Sequence, residues 1–366
     1  MPRNDPRQLT LFSPRGESAS LTTGSLFSSG GGWEIGAVRA GMRPMWGVEY
    51  EAARGALWNA TFPGGSPGCM TADVWDERAL AATRPVDVLF TSPVCRDYSA
   101  IQSRWGEKSF ELEAGVDIRS CRPFLGMATV PYVERLRPPV IMLENTARYE
   151  GKPAYTMLEN ALVSRGYDVQ TAKLNAKDYG NPSSRERFFA VFTRRDSGVR
   201  FRWPDPTHKG APVSWDSVLA PYFNYLPPAP SVQPALKKAI AAWASSSRAQ
   251  VYPFLYVIQR QGKLEGGESF PIGLPGKPAP TLTVGHGVME GWRVVLSPTD
   301  FRALGAVGAS VLNGFLAPGQ FPSSYGAGFP PGLVGNVAGD AVSPIMAEAL
   351  LRGVSWPRGY RPVAAR

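Results

Sequence analysis

From Gly24 onward, short apolar runs alternate with stretches whose apolar residues recur at helical spacing. The runs Gly24–Phe27, Pro44–Val48, Val86–Thr91, Val140–Leu143, Asp168–Leu174 and Phe188–Phe192 predict strands. Ile35–Ala40, Ala52–Trp58 and Tyr155–Arg165 predict helices between them. This alternation predicts an α/β fold with a doubly wound, mostly parallel sheet. After about residue 201 the pattern breaks. Pro-rich stretches surround one helical segment, Ala235–Ala244, and the pattern recovers at Pro298–Gly305 and Ser343–Gly353. The expected division is one domain from 25–203 and 293–366, with a small loop-rich insert at 204–292. Residues 1–24 are polar and read as a flexible tail, apart from one apolar knot at 8–12.

Composition bounds the chemistry. The chain has 366 residues and is 43% hydrophobic, enough for a sizeable core. No apolar run reaches the roughly 18 residues of a membrane helix, and the N-terminus lacks an apolar signal core. The expectation is a soluble, cytoplasmic protein with no membrane partner. The net charge of +9 suits a polyanion, nucleic acid first, and a merely basic surface fits the charge equally. Three cysteines, Cys69, Cys95 and Cys121, are an odd, widely spaced set that argues against a disulfide framework. With two histidines and no CxxC pair, no metal site is expected. A Cys–His pair is equally improbable, so a catalytic thiol here needs another means of activation.

Four local features carry candidate chemistry. Ser25 to Gly32 is a small-residue turn after a strand, where a backbone can approach a cofactor closely. Glu49 ends the next strand and suits ribose hydroxyls; Asp73 follows a further short strand and suits an adenine amino group. A tight structural turn is the alternative explanation of the glycines. Cys95 follows the buried run 86–91 at a strand's carboxyl end, although a lone Cys is more often a small core residue. Glu144-Asn145 closes the strand 140–143, and Arg185 and Arg187 lie in a loop before the strand at 188. Alone, these two would be a helix cap and a solvated basic turn.

In this order and spacing the features resemble the cytosine-specific, carbon-5 DNA methyltransferase family, over about 25–195 and 277–353. The C-terminal matches are Pro278 to Thr283, Leu296 to Thr299 and Gly339 to Pro344. The resemblance implies a methyl transfer from S-adenosylmethionine to cytosine in double-stranded DNA. It implies Cys95 as the nucleophile on carbon 6, Glu144 at the N3 edge of a flipped base, and Arg187 with Arg185 orienting that base. It implies Phe27, Gly31, Gly32, Glu49, Tyr50, Asp73, Pro93 and Asp340 around the cofactor. It implies a target-recognition domain in the insert, where Arg248, Arg260 and Lys263 suit phosphates.

Several positions depart from the family pattern. Ser29 replaces a Gly, Val94 a Pro, Arg96 a Gln, Thr146 a Val, Ser183 a Gln and Asp340 an Asn. None removes Cys95, Glu144, Arg185 or Arg187. The peptide Gln8-Leu9-Thr10-Leu11-Phe12 resembles the motif by which bacterial proteins bind the replicative sliding clamp, with Gln8, Leu9, Leu11 and Phe12 as its contacts. Two other readings stay open: the same chemistry on RNA, and a non-catalytic DNA-binding protein tethered to the clamp.

Overall fold

The main sheet runs in the order β3-β2-β1-β4-β5-β7-β6. Its strands are β1 (Thr22–Leu26), β2 (Arg43–Glu49), β3 (Gly68–Thr71), β4 (Val88–Thr91), β5 (Val140–Thr146), β6 (Tyr167–Asn175) and β7 (Glu186–Arg194). In this computed structural model the described residues are 20–94, 117, 119, 121–229, 252–257, 273–282, 291–297, 299–317 and 319–363. The first five strands pair in parallel, whereas β7 is antiparallel to both β5 and β6. The parallel part therefore ends at β5, and 168–174 and 188–192 form an antiparallel pair.

The helices of this part are α1 (Gly32–Arg39), α2 (Ala52–Thr61), α3 (Glu77–Ala82), α4 (Thr129–Leu136) and α5 (Pro153–Val163). Val140, Ile141, Met142 and Leu143 are fully buried, which is why that run is apolar without alternation. Trp46, Leu89, Phe188 and Phe192 join Leu158 and Tyr132 in one core. Asp87, buried before β4, accepts from Thr22 N (2.7 Å), Thr22 Oγ1 (2.8 Å), Tyr360 Oη (2.7 Å) and Val363 N (2.9 Å). One carboxylate thus fastens the starts of the central strands β1 and β4 to the C-terminal segment.

The chain divides into two compact units. Among the described residues, the first holds 20–175, 186–205 and 346–363, and the second holds 176–185 and 206–345. The second unit so groups 293–345 with the segment 206–292. The first unit also contains β8 (Arg200–Phe201) paired with β12 (Val354–Ser355). The second holds a three-stranded antiparallel sheet of β9 (Phe254–Val257), β10 (Trp292–Val295) and β11 (Phe301–Ala303). Its helices are α6 (Trp215–Leu219), α7 (Gly305–Leu312) and α8 (Pro331–Asp340); α9 (Pro344–Arg352) follows. The expected helix at 298–305 is instead β11 followed by the start of α7, because 301–303 pairs with β10. The expected helix 235–244 lies outside the described residues.

No helix among the described residues is long and apolar enough to cross a membrane.

Candidate active site

The small-residue turn leaves β1 through left-handed backbone at Phe27 (φ 57°) and Ser29 (φ 48°), before Gly31 (φ 90°) caps α1. Each left-handed non-glycine residue costs roughly 1–2 kcal/mol, so the turn must be held by its surroundings. Ser28 N and Ser28 Oγ both donate to Val48 O, each at 3.2 Å. Ser29 N donates to Glu49 Oε2 (2.8 Å), and Glu51 N donates to Glu49 Oε1 (2.9 Å). Both oxygens of the buried Glu49 carboxylate are therefore fixed by backbone amides at the end of β2. Arg54 Nη1 donates to Ser29 Oγ (2.9 Å) from α2.

Gly31 answers to packing as well. A Cβ there would stand 2.3 Å from Phe62 Cε2, so the turn's glycine has a structural reason independent of any ligand. Gly32 opens α1 and is buried. Tyr50, next to Glu49, is 75% exposed, which leaves an aromatic face open beside a fixed carboxylate. Asp73, just past β3, accepts from Trp75 N (2.8 Å). Beneath the turn, Glu34 is buried and hydrogen-bonded to Ser25 Oγ. Burial pushes its carboxyl pKa up.

The chain leaves β4 through Ser92, Pro93 and Val94; Cys95 lies outside the described residues. Asn145, fully buried on β5, donates from Nδ2 to Pro93 O (2.9 Å). Its Oδ1 accepts from Thr146 N (2.8 Å). Trp33 stacks on Phe90 with ring centroids 4.8 Å apart and donates from Nε1 to Ser92 Oγ (2.9 Å). The strand exit toward Cys95 is thus gripped from β5 and from α1. Next to Asn145, Glu144 is buried, and Arg187 Nε lies 3.1 Å from its Oε1. The sequence marks Asn145 beside Glu144 but gives it no role, since that role depends on a distant carbonyl.

Of the other thiols, Cys69 is buried and Cys121 is half-buried. Burial above all pushes the Cys69 thiol far up, which leaves it a poor nucleophile.

In the second unit, Arg185 donates from Nη1 to Gly339 O (2.9 Å) and from Nη2 to Asp340 O (2.7 Å). It caps the carbonyl end of α8, where a cation is favoured. Asp340 itself is exposed at that end. Asn181 Nδ2 donates to Ser183 O (2.9 Å), and Ser343 Oγ donates to Asn181 Oδ1 (3.0 Å). Ser184 N donates to Ala279 O (2.7 Å), and Thr281 Oγ1 donates to Ser184 O (2.6 Å). The loop before Arg185 is therefore built into its unit by buried polar groups, of which Asn181 and Ser343 were not foreseen. The structure joins Glu144 with Arg187, Glu49 with the glycine turn, and Arg185 with the main chain of Asp340. Arg248, Arg260, Lys263 and the peptide 8–12 lie outside the described residues.

The profile of C-5 cytosine-specific DNA methylases matches residues 21–230. The chain is 30% identical over 198 residues to Type II methyltransferase M1.HphI of Haemophilus parahaemolyticus, covering 52% of this chain and 50% of that one. It is 28% identical over 207 residues to Type II methyltransferase M.NgoFVII of Neisseria gonorrhoeae, covering 54% of this chain and 50% of that one. It thus spans about half the length of the curated relatives it matches. An E. coli structure described as a DNA modification methyltransferase encoded within a prophage superposes with a TM-score of 0.61 at 20% identity, over 91% of this chain and 98% of that one. That likeness shows the fold, the one shared by S-adenosylmethionine-dependent methyltransferases.

Proposed function

The chain belongs to the C-5 cytosine-specific DNA methylase family, and we propose that it methylates carbon 5 of cytosine in duplex DNA through a covalent adduct at Cys95. The observation that carries this reading is the buried Glu144 paired with Arg187, one residue before the Asn145 that holds the Pro93 carbonyl. That carbonyl lies two residues before Cys95 in the chain.

Carbon 5 of cytosine is a poor nucleophile. Attack of the Cys95 thiolate on carbon 6 forms a C–S bond and moves the ring's electrons toward carbon 5. Glu144 stabilises the protonated N3 edge of a cytosine extruded from the stack, and Arg187 keeps the Glu144 carboxylate oriented while offsetting negative charge that develops on the ring. S-adenosylmethionine, when bound, supplies the electrophilic methyl group. Loss of the carbon-5 proton and of the Cys95 thiolate then restores the aromatic ring.

The turn fits an adenosine group. Glu49, its oxygens fixed by two backbone amides, suits ribose hydroxyls; the exposed Tyr50 ring suits a base face; Asp73 suits an exocyclic amine. Arg185, engaged with the α8 carbonyls, acts as a positioning residue rather than a base contact. Expressing the chain in a methylation-free host and sequencing bisulfite-treated DNA tests the reading. Sequence-specific 5-methylcytosine that vanishes in Cys95→Ser is expected. Methyl transfer to transfer RNA but not to duplex DNA would overturn the choice of substrate.

We also propose that the peptide at Gln8, Leu9, Leu11 and Phe12 docks on the bacterial sliding clamp, because two adjacent apolar side chains in a polar segment suit a small apolar pocket. Clamp retention equal for the wild type and for Leu11→Ala with Phe12→Ala refutes this.

A further inference from the structure

Beneath the glycine turn lies a chain of three polar side chains that the methyl-transfer reading does not use. Glu34 on α1 bonds Ser25 Oγ on β1; Ser25 Oγ lies 2.8 Å from Ser28 Oγ; Ser28 Oγ lies 3.2 Å from Val48 O and 3.1 Å from Ser25 O. All three side chains are buried. The protons can be counted along it. Val48 O and Ser25 O are carbonyl oxygens and only accept, so they take the single Ser28 hydroxyl proton. The Ser25–Ser28 contact must then use the Ser25 proton. The Ser25–Glu34 contact is left with no hydroxyl proton, and its donor has to be the carboxyl itself.

We infer that Glu34 is a protonated carboxylic acid and a positioning residue, whose proton orders the Ser25–Ser28 chain and so fixes the turn that carries Glu49. This rests on the reading of that turn as the S-adenosylmethionine site. The surroundings agree. Among the described residues no cation stands within ion-pair distance of Glu34. The titratable and charged groups near it are the Cys69 thiol from β3, Glu49 at the end of β2, and Arg54 from α2, which is engaged by Glu51 and Ser29. Cys69 lies close enough that a charge on Glu34 would act on its sulfur. Burial disfavours the charged carboxylate, and hydrogen bonding from Ser25, Trp58 and the Glu34 backbone offsets only part of that cost. Ionisation would reverse the Ser25 proton toward Glu34, turn the Ser28 proton toward Ser25, and release the hydroxyl's bond to Val48 O. Val48 is the residue before Glu49, so the ribose-binding carboxylate would lose its fixed frame.

The test uses the full chain, its Glu34→Gln variant, which keeps a donor toward Ser25, and Ser25→Ala, which keeps the carboxyl but breaks the chain. Infrared difference spectra are expected to contain a protonated-carboxyl stretch that Glu34→Gln removes. Calorimetric titration with S-adenosylhomocysteine is expected to give wild-type affinity that falls with rising pH, by up to roughly tenfold per unit above the carboxyl's pKa. Glu34→Gln should bind within about threefold of the wild type at neutral pH and lose that fall. Ser25→Ala should bind weakly at every pH. A missing carboxyl band, or identical pH profiles for the wild type and Glu34→Gln, overturns the inference alone. No binding by any of the three at any pH overturns the cofactor reading, and the positioning role with it, while the infrared band still reports the proton.

Discussion

Arg187 Nε stands 3.1 Å from Glu144 Oε1, the two side chains reaching each other from neighbouring antiparallel strands. The carboxylate side is 8% exposed and the guanidinium 17%, so neither is lost to bulk solvent. Glu144→Gln keeps the shape but removes the group that stabilises a protonated ring edge. It should lower methyl transfer by about 10²–10⁴-fold, measured by tritium incorporation, with duplex binding retained. Loss of less than tenfold would remove Glu144 from the chemistry.

Asn145 is the residue that ties β5 to the strand exit toward Cys95. Asn145→Ala leaves the Pro93 carbonyl without that donor in a buried setting, at a cost of about 1–3 kcal/mol. Urea denaturation should report that loss. Adduct formation with 5-fluorocytosine DNA should slow by more than the stability change explains, because the Pro93 backbone that leads toward Cys95 is no longer anchored.

Arg185 caps two carbonyls at once, a geometry that a lysine cannot reproduce. Arg185→Lys should therefore destabilise by about 1–2 kcal/mol and Arg185→Ala by more. If Arg185→Lys unfolds with the wild-type midpoint while abolishing methyl transfer, its role is at the base and not in the cap.

Gly31→Ala meets both a left-handed φ and the Phe62 ring, which a Cβ would approach to 2.3 Å. A loss of roughly 2–4 kcal/mol is expected from strain and overlap together. Adding Phe62→Leu should recover the overlap part in a double-mutant cycle, but not the backbone part.

Glu34 makes stability depend on pH in a stated direction. Its folded-state pKa is raised, so the native form keeps a proton that the unfolded carboxyl has already released. The native state then binds more protons, and stability falls as pH rises from the ordinary carboxyl range toward Glu34's own value, by at most about 1.4 kcal/mol per unit. Glu34→Gln should flatten that fall. Thermal unfolding of both proteins across this range checks it, and parallel curves would contradict it.

Much of the first unit was legible because its signals are local. A run such as Val140 to Leu143, short and apolar at every position, fits a strand buried on both faces, and all four residues are buried. Short apolar runs also marked β6 and β7, but not their direction, since hydrophobicity is blind to which way a strand points. The residues 301–303 read as part of a helix over 298–305. Pairing with Trp292–Val295 decided otherwise, and such a partner is invisible in a local window. The site divides in the same way. Glu49, Glu144 and Arg187 stand out by residue type and strand position. Asn145, Asp87 and Asn181 matter through a distant carbonyl, amide or hydroxyl, and no spacing announces those.

The reversal at β7 has a consequence for how the pair at the sheet's rim arises. Parallel strands deliver their last residues to one rim, and Glu144 arrives there late in β5. Arg187 is the second residue of β7 and would sit at the far rim if β7 ran with its neighbours. Nine residues of strand span about 30 Å, too far for any side chain to bridge. Because β7 runs backwards, a beginning meets an ending, and acid and guanidinium become neighbours by direction of travel alone. A one-residue slip of β7 against β5 would turn Arg187 to the opposite face. The fidelity of that single pairing therefore sets whether this rim holds a charge pair at all.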